Sequence, residues 1–162
     1  MSTYAVQEFE AYARARQQRF YGTAFLLCGD AERAQDLTRT TFAKLFQHWR
    51  KATRASDIDI YAKTVLTRTY IAAERSRRHM FERHSNAVDH EQTCVTLLDA
   101  LHTLTPNARA MVVLRYWENL PIDRVAEALS CKPESVKSTC IRALSRLRTL
   151  LPEDIDLHTM EA

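Results

Sequence analysis

The chain has 162 residues, of which 46% are hydrophobic and 27% charged; these are ordinary globular proportions and exclude wholesale disorder. Only 2 glycines and 4 prolines are present, which excludes collagen-like, low-complexity and turn-rich all-β architectures and favours helix. The formal charge of +3 is unevenly spread: residues 1–84 hold 15 Lys/Arg against 9 Asp/Glu, and residues 85–162 hold 8 against 11, so an anionic partner is expected for the first half.

The first segment, residues 5–27, places Phe9, Tyr12, Ala13, Phe20, Ala24 and Leu27 at three- and four-residue steps, which predicts a helix with a break near Gln17-Gln18. Gly29 suits a left-handed C-cap and Asp30 an N-cap, so one helix stops and another starts there. Residues 31–50 carry Ala34, Leu37, Phe42, Leu45, Phe46 and Trp49 on one stripe; Leu37, Phe42, Leu45 and Trp49 read as core. A polar loop is expected over 50–59. Ser56 or Asp57 then caps a helix to about residue 80, with Ile58, Tyr61, Ala62, Val65, Leu66 and Ile71 apolar and a basic end at Arg75, Arg77 and Arg78. Apolar periodicity lapses over 81–93, the expected flexible linker. Prolines at 106, 121 and 133 mark helix starts and Pro152 an end, predicting helices at 94–103, 106–117, 121–129 and 133–151 before an acidic tail, 152–162. The expected fold is all-α: two small helical domains, 1–80 and 94–151, joined by that linker.

The opening residues lack a basic flank followed by an apolar core, and no apolar run reaches membrane-spanning length. A cytoplasmic protein with reduced thiols and no membrane association is expected. Cysteines 28, 94, 131 and 140 form no CxxC and match no common zinc spacing; His79, His84 and His90 beside the linker add no ligand pattern, so neither metal nor cofactor is expected. No phosphate-binding glycine loop or standard hydrolytic signature appears, so the chain is not expected to be an enzyme.

Residues 121–148 have the grammar of a helix-turn-helix, the second domain's main feature. Ala126 is small where two helices must cross closely. Residues 130–132 form a short turn. Val136, Cys140, Ile141, Ala143, Leu144 and Leu147 anchor the second helix, and Tyr116-Trp117 are expected to pack this domain. The opposite face presents Glu134, Ser135, Lys137, Ser138, Arg142 and Arg146, and residues 130–150 hold five Lys/Arg against one acid. Such a helix can lie in a major groove, with its first residues at base edges and its cations on phosphates. A helical hairpin with a solvated basic face fits the same spacing.

Taken together, these residues resemble the extracytoplasmic-function sigma factors, small two-domain promoter-specificity subunits of bacterial RNA polymerase, in their actinobacterial form. The resemblance covers roughly 8–150. It rests on Thr23 to Asp30, Ala34 to Phe46 and Trp49, Tyr61 to Thr69, the basic end at 75–78, Leu98 to Pro106, Val112 to Tyr116 and the helix-turn-helix. It implies partners: the clamp and flap of core polymerase, promoter DNA, and an anti-sigma factor able to stabilise a closed state in which the two domains pack together and hide DNA surfaces. Asp36, Arg39, Thr40 and Ala43 match the clamp-gripping positions. Promoter −10 recognition and melting fall to 50–78. There the polar loop (Lys51, Arg54, Ser56, Asp57) could form a base pocket. Tyr61, Lys63, Thr64, Thr67, Arg68 and Tyr70 are single-strand contacts, and Arg75, Arg77 and Arg78 track phosphates; Tyr61 serves equally well as core. The −35 element falls to Glu134, Ser135, Lys137, Ser138, Arg142 and Arg146, with Arg115 on a phosphate. A stand-alone helix-turn-helix regulator, normally dimeric on a palindrome, and a helical adaptor binding only protein are the rival readings.

Overall fold

The computed structural model describes residues 1–82 and 96–151. The acidic tail, Cys94, His84 and His90 lie outside the described residues, as does the expected linker but for its first two positions.

Ser2 caps α1 (Thr3–Cys28) by accepting from Ala5 N–H. The helix runs unbroken through Gln17-Gln18, because glutamine is a good helix former and this pair faces solvent. Gly29 ends it at φ 68°, donating to the Phe25 carbonyl at 2.7 Å. Asp30 starts α2 (Ala31–Gln47) by accepting from Arg33 N–H at 2.8 Å. The stripe predicted to reach residue 50 breaks at His48, and α3 (Trp49–Arg54) follows. Much of the expected loop is therefore helical, with Trp49 and Ala52 turning one face inward. Asp57 accepts from Asp59 and Ile60 N–H at the head of α4 (Ile58–Glu82).

These four helices surround an aromatic core. Phe9 meets Phe46 and Trp49 edge-on, at centroid distances of 5.0 and 5.2 Å, and Phe20 meets Phe42 at 5.4 Å. Such edge contacts add about 0.5–1.5 kcal/mol each beyond area burial.

The second half comprises α5 (Leu97–His102), α6 (Pro106–Val112), a π-helical turn (Val113–Trp117), α7 (Ile122–Leu129) and α8 (Pro133–Leu150). Thr96 and Thr105 cap α5 and α6. The π turn replaces the last turn of the helix expected over 106–117: Glu118 N–H bonds the Val113 carbonyl, one residue further back than an α-helix allows. Ser130, at φ 52°, makes the left-handed turn of the helix-turn-helix without glycine. Val125, Ala126, Val136 and Cys140 close the helix-turn-helix core, and Leu101, Val112, Leu144 and Leu147 close a second cluster. Two expectations reverse. Ile141 is 69% exposed rather than an anchor, and Trp117 is 52% exposed rather than packed within the domain. The helical phase of α8 gives the inward positions to Cys140, Ala143 and Leu144, and Ile141 falls between them.

The two halves pack directly on each other. Ala110 and Val113 belong to the first half's core cluster, and Leu26 and Ile60 pack on the clusters of the second.

Candidate nucleic-acid interface

The exposed face of α8 carries Glu134, Ser135, Lys137, Ser138, Ile141, Arg142 and Arg146, while Val136, Cys140 and Ala143 hold the other face in the core. Lys137 and Arg142 thus project from a helix fixed in place by its apolar side. Arg146 donates to Thr103 Oγ1 at 3.2 Å. Arg115 is half-buried, its guanidinium 5.8 Å from the Tyr116 ring and 3.5 Å from the Leu120 carbonyl. Burial pushes the Cys131 and Cys140 thiols above their ordinary range, which suits inert packing groups.

On α2, Asp36, Arg39, Thr40 and Ala43 are all exposed along one side, with Asp36 and Arg39 4.0 Å apart. Beside them an open groove of about 430 Å³ runs between α1 and α2, lined by Gln17, Gln18, Tyr21, Gln35, Thr38 and Arg39.

The segment expected to meet the −10 element is divided by the packing of the two halves. Lys51, Arg54, Ser56, Asp57, Arg75, Arg77 and Arg78 are exposed, and Tyr61 and Thr64 are half-buried. Thr67 and Tyr70 are 0% and 1% exposed, so no strand reaches them in this arrangement. Thr67 turns its hydroxyl onto the Lys63 carbonyl of its own helix. Tyr70 Oη accepts from Arg109 Nη1 at 2.8 Å, and burial pushes its phenol up to about 12. Lys63 Nζ lies 2.8 Å from Glu118 Oε2. Arg68 donates to the Ala128 and Glu127 carbonyls at 3.0 and 3.1 Å, at the C-terminus of α7.

Arg109 is the centre of this seam. Only 6% exposed, it donates to the carbonyls of Leu101, His102 and Leu104 in its own half and to Leu27 O and Tyr70 Oη across the boundary. Glu118 is the second tie: Thr23 Oγ1, Lys63 Nζ and Arg19 Nη2 all surround its carboxylate. Burial pushes that carboxyl up, but hydrogen bonds from Lys63 and Thr23 and the charges of Lys63 and Arg19 outweigh it and hold the group below its ordinary value. Sequence reasoning missed Arg19, Thr23, Arg109 and Glu118. Each reads as an ordinary helix-surface residue until a partner 39 to 99 positions away is known.

Residues 94–147 match the family model described as Sigma-70, region 4. Over 165 residues the chain is 33% identical to the RNA polymerase sigma-E factor of Streptomyces coelicolor (strain ATCC BAA-471 / A3(2) / M145), covering 96% of this chain and 93% of that protein. It is 32% identical over 166 residues to the RNA polymerase sigma-E factor of Streptomyces antibioticus, covering 96% and 92%. Its fold is that of the sigma factor RpoE from Bartonella quintana, solved in complex with the anti-sigma factor NepR: the TM-score is 0.73 at 19% identity, over 89% of this chain and 96% of that one. The all-α architecture, the region 4 match and similarity along nearly the whole chain converge: this protein belongs to the extracytoplasmic-function group of the sigma-70 family.

Proposed function

We propose that the chain binds bacterial core RNA polymerase and directs it to promoters, with 1–80 gripping the clamp and opening DNA at −10 and 94–151 reading duplex at −35. The observation that carries this reading is α8: a helix whose apolar side is buried and whose free side offers three cations, hydroxyls and one exposed isoleucine to a groove. Lys137 and Arg142 suit guanine acceptors, and Ile141 suits a thymine methyl. Asp36, Arg39, Thr40 and Ala43 supply the clamp contact. Lys51, Arg54, Ser56, Asp57, Tyr61, Lys63, Thr64 and Arg68 form the strand-capturing surface, and Arg75, Arg77 and Arg78 follow the phosphates.

Nucleotidyl transfer belongs to the polymerase, so this chain supplies specificity without catalysis and works in the cytoplasm where that enzyme is. Among the described residues no helix is long and apolar enough to cross a membrane. A partner that grips both halves at once stabilises the closed arrangement, which is how an anti-sigma factor would silence the protein. Near full-length likeness to polymerase sigma factors disfavours a stand-alone regulator.

The test is transcription from host genomic DNA by core polymerase with and without this protein, sequencing the starts. New starts sharing upstream sequence at two fixed spacings are expected. Identical start profiles would refute the proposal.

A further inference from the structure

The contacts between the two halves mask the molecule's surfaces unequally. On the first half, Lys63 and Arg68 are spent on the second half, one on Glu118 and the other on the carbonyl end of α7. On the second half, Glu134, Ser135, Lys137, Ser138, Ile141, Arg142 and Arg146 of α8 all remain exposed. Closure therefore occupies Lys63 and Arg68 of the strand-capturing surface, whose other cations stay exposed, and leaves the duplex-reading face of α8 exposed as well.

What occupies these two cations is itself anionic. Arg19 and Thr23 stand one helical turn apart on α1, and Lys63 faces them from α4; all three donate to one carboxylate. Glu118 side chain is 2% exposed, and Lys63 side chain 14%. Two cations and a hydroxyl around a single carboxylate leave the site with one positive charge in excess. A phosphate diester presents the same charge with comparable oxygen geometry. A few residues along α4, Arg68 meets the negative pole of the α7 dipole, again a protein group in the role of an anion. The π turn is what delivers Glu118: Glu118 N–H bonds Val113 O and Leu120 N–H bonds Leu114 O, so the inserted residue turns the carboxylate toward α1 and α4.

We propose that Arg19, Thr23 and Lys63 form an anion cradle, filled by the protein's own Glu118 in the closed arrangement and by a backbone phosphate of a separated DNA strand once the halves part. Glu118 thus acts as an internal competitor of single-stranded DNA, and the chain restrains its own strand capture while duplex reading stays available. Arg19 and Thr23 become part of the strand-binding surface. The inference rests on the strand-capturing reading of the first half.

The experiment is fluorescence anisotropy of a labelled twelve-residue oligothymidylate and of a mixed-sequence duplex, titrated with the full chain over a salt series. Glu118→Gln keeps the shape and removes the charge. It should bind the single strand about tenfold more tightly than the unaltered chain, the scale of losing one charge-assisted contact in the closed form. Its log–log salt dependence should steepen by about 0.7, as one further phosphate is engaged. Duplex affinity should change no more than in a Glu10→Gln control, which removes an exposed carboxylate from α1. Adding Arg19→Gln and Lys63→Gln to Glu118→Gln should abolish the gain.

Equal single-strand binding by Glu118→Gln and Glu10→Gln, or a gain that survives loss of both cations, would overturn the inference while leaving the sigma reading intact. No single-strand binding by any variant would overturn both. If Glu118→Gln does not fold, hydrogen exchange on the unaltered chain decides: saturating oligothymidylate should speed exchange over residues 113–120, and unchanged exchange there would defeat competition.

Discussion

Replacing Tyr70 with Phe separates the seam from the DNA surface. The phenol is 1% exposed and its oxygen accepts from Arg109 Nη1 at 2.8 Å, so the change removes one oxygen and opens no cavity lined by side chains. Arg109 Nη1 keeps its bond to Leu27 O at 3.0 Å, but its second proton is left buried and unpaired. A hydrogen bond to a charged group is worth about 1.5–3 kcal/mol, and a buried donor left unsatisfied costs about 1–3 kcal/mol. The surviving Leu27 bond puts the expected loss at the lower end, about 1.5 kcal/mol. With a urea m-value of roughly 2 kcal/mol/M for a chain of this size, the unfolding midpoint should fall by about 0.7 M. Urea unfolding followed by far-ultraviolet circular dichroism measures the midpoint. Hydrogen exchange reports where the loss falls, with faster exchange expected at the α1–α2 turn and over residues 101–109. Single-strand affinity should rise rather than fall, because the substitution loosens closure and removes no exposed contact. A midpoint unchanged within about 0.1 M, or a loss of strand binding with stability intact, would refute the assignment of Tyr70 to the seam.

Other expectations follow from individual contacts. Asp59 accepts from Tyr12 Oη at 2.8 Å and from Arg16 Nε at 3.0 Å. Burial raises its carboxyl, but those bonds and the Arg16 charge outweigh this and lower it overall. A carboxyl lowered on folding contributes stability that is present above the ordinary carboxylate range and is lost as pH falls through the folded value. Asp59→Asn should therefore flatten the acid limb of a stability–pH profile, and an unaltered limb would contradict this. Leu147→Ala, at a 0% exposed position, should cost about 2–5 kcal/mol in denaturant unfolding. Gly29→Ala puts a side chain at φ 68°, with its Cβ 1.9 Å from His102 Nε2. The half-exposed ring can swing aside, so the left-handed backbone sets the loss at about 1–2 kcal/mol, read from the thermal midpoint. Arg142→Glu should abolish −35-dependent initiation while polymerase binding persists; loss of both together would count against the division of labour.

Helices and their ends were legible because they depend on local chemistry. Gly29 next to Asp30 stops one helix and caps the next, and Pro106 and Pro133 each open one. The α8 surface was legible because its polar and apolar residues alternate with helical period, though Ile141 shows that an apolar residue at the edge of a stripe can fall on either side of it. The break at His48 escaped notice because the stripe through Trp49 continues across it: Trp49 is buried from a new helix, not the old one. The π turn has no compositional mark, since Val113 to Trp117 would suit an α-helix equally. Least legible was the seam. Arg109 and Glu118 each resemble a solvated charge until the fold brings Leu27, Tyr70, Thr23 and Lys63 against them. Tyr70 and Thr67 were assigned to DNA for the same reason: residue type and position predicted contact, whereas burial depends on a second half far along the chain.

The most direct measurement is the association of the purified chain with bacterial core RNA polymerase at physiological salt, followed by sedimentation velocity. A one-to-one complex is predicted, weakened by Asp36→Arg in a chain that remains folded. Free polymerase and free chain sedimenting separately at micromolar concentrations would contradict the account.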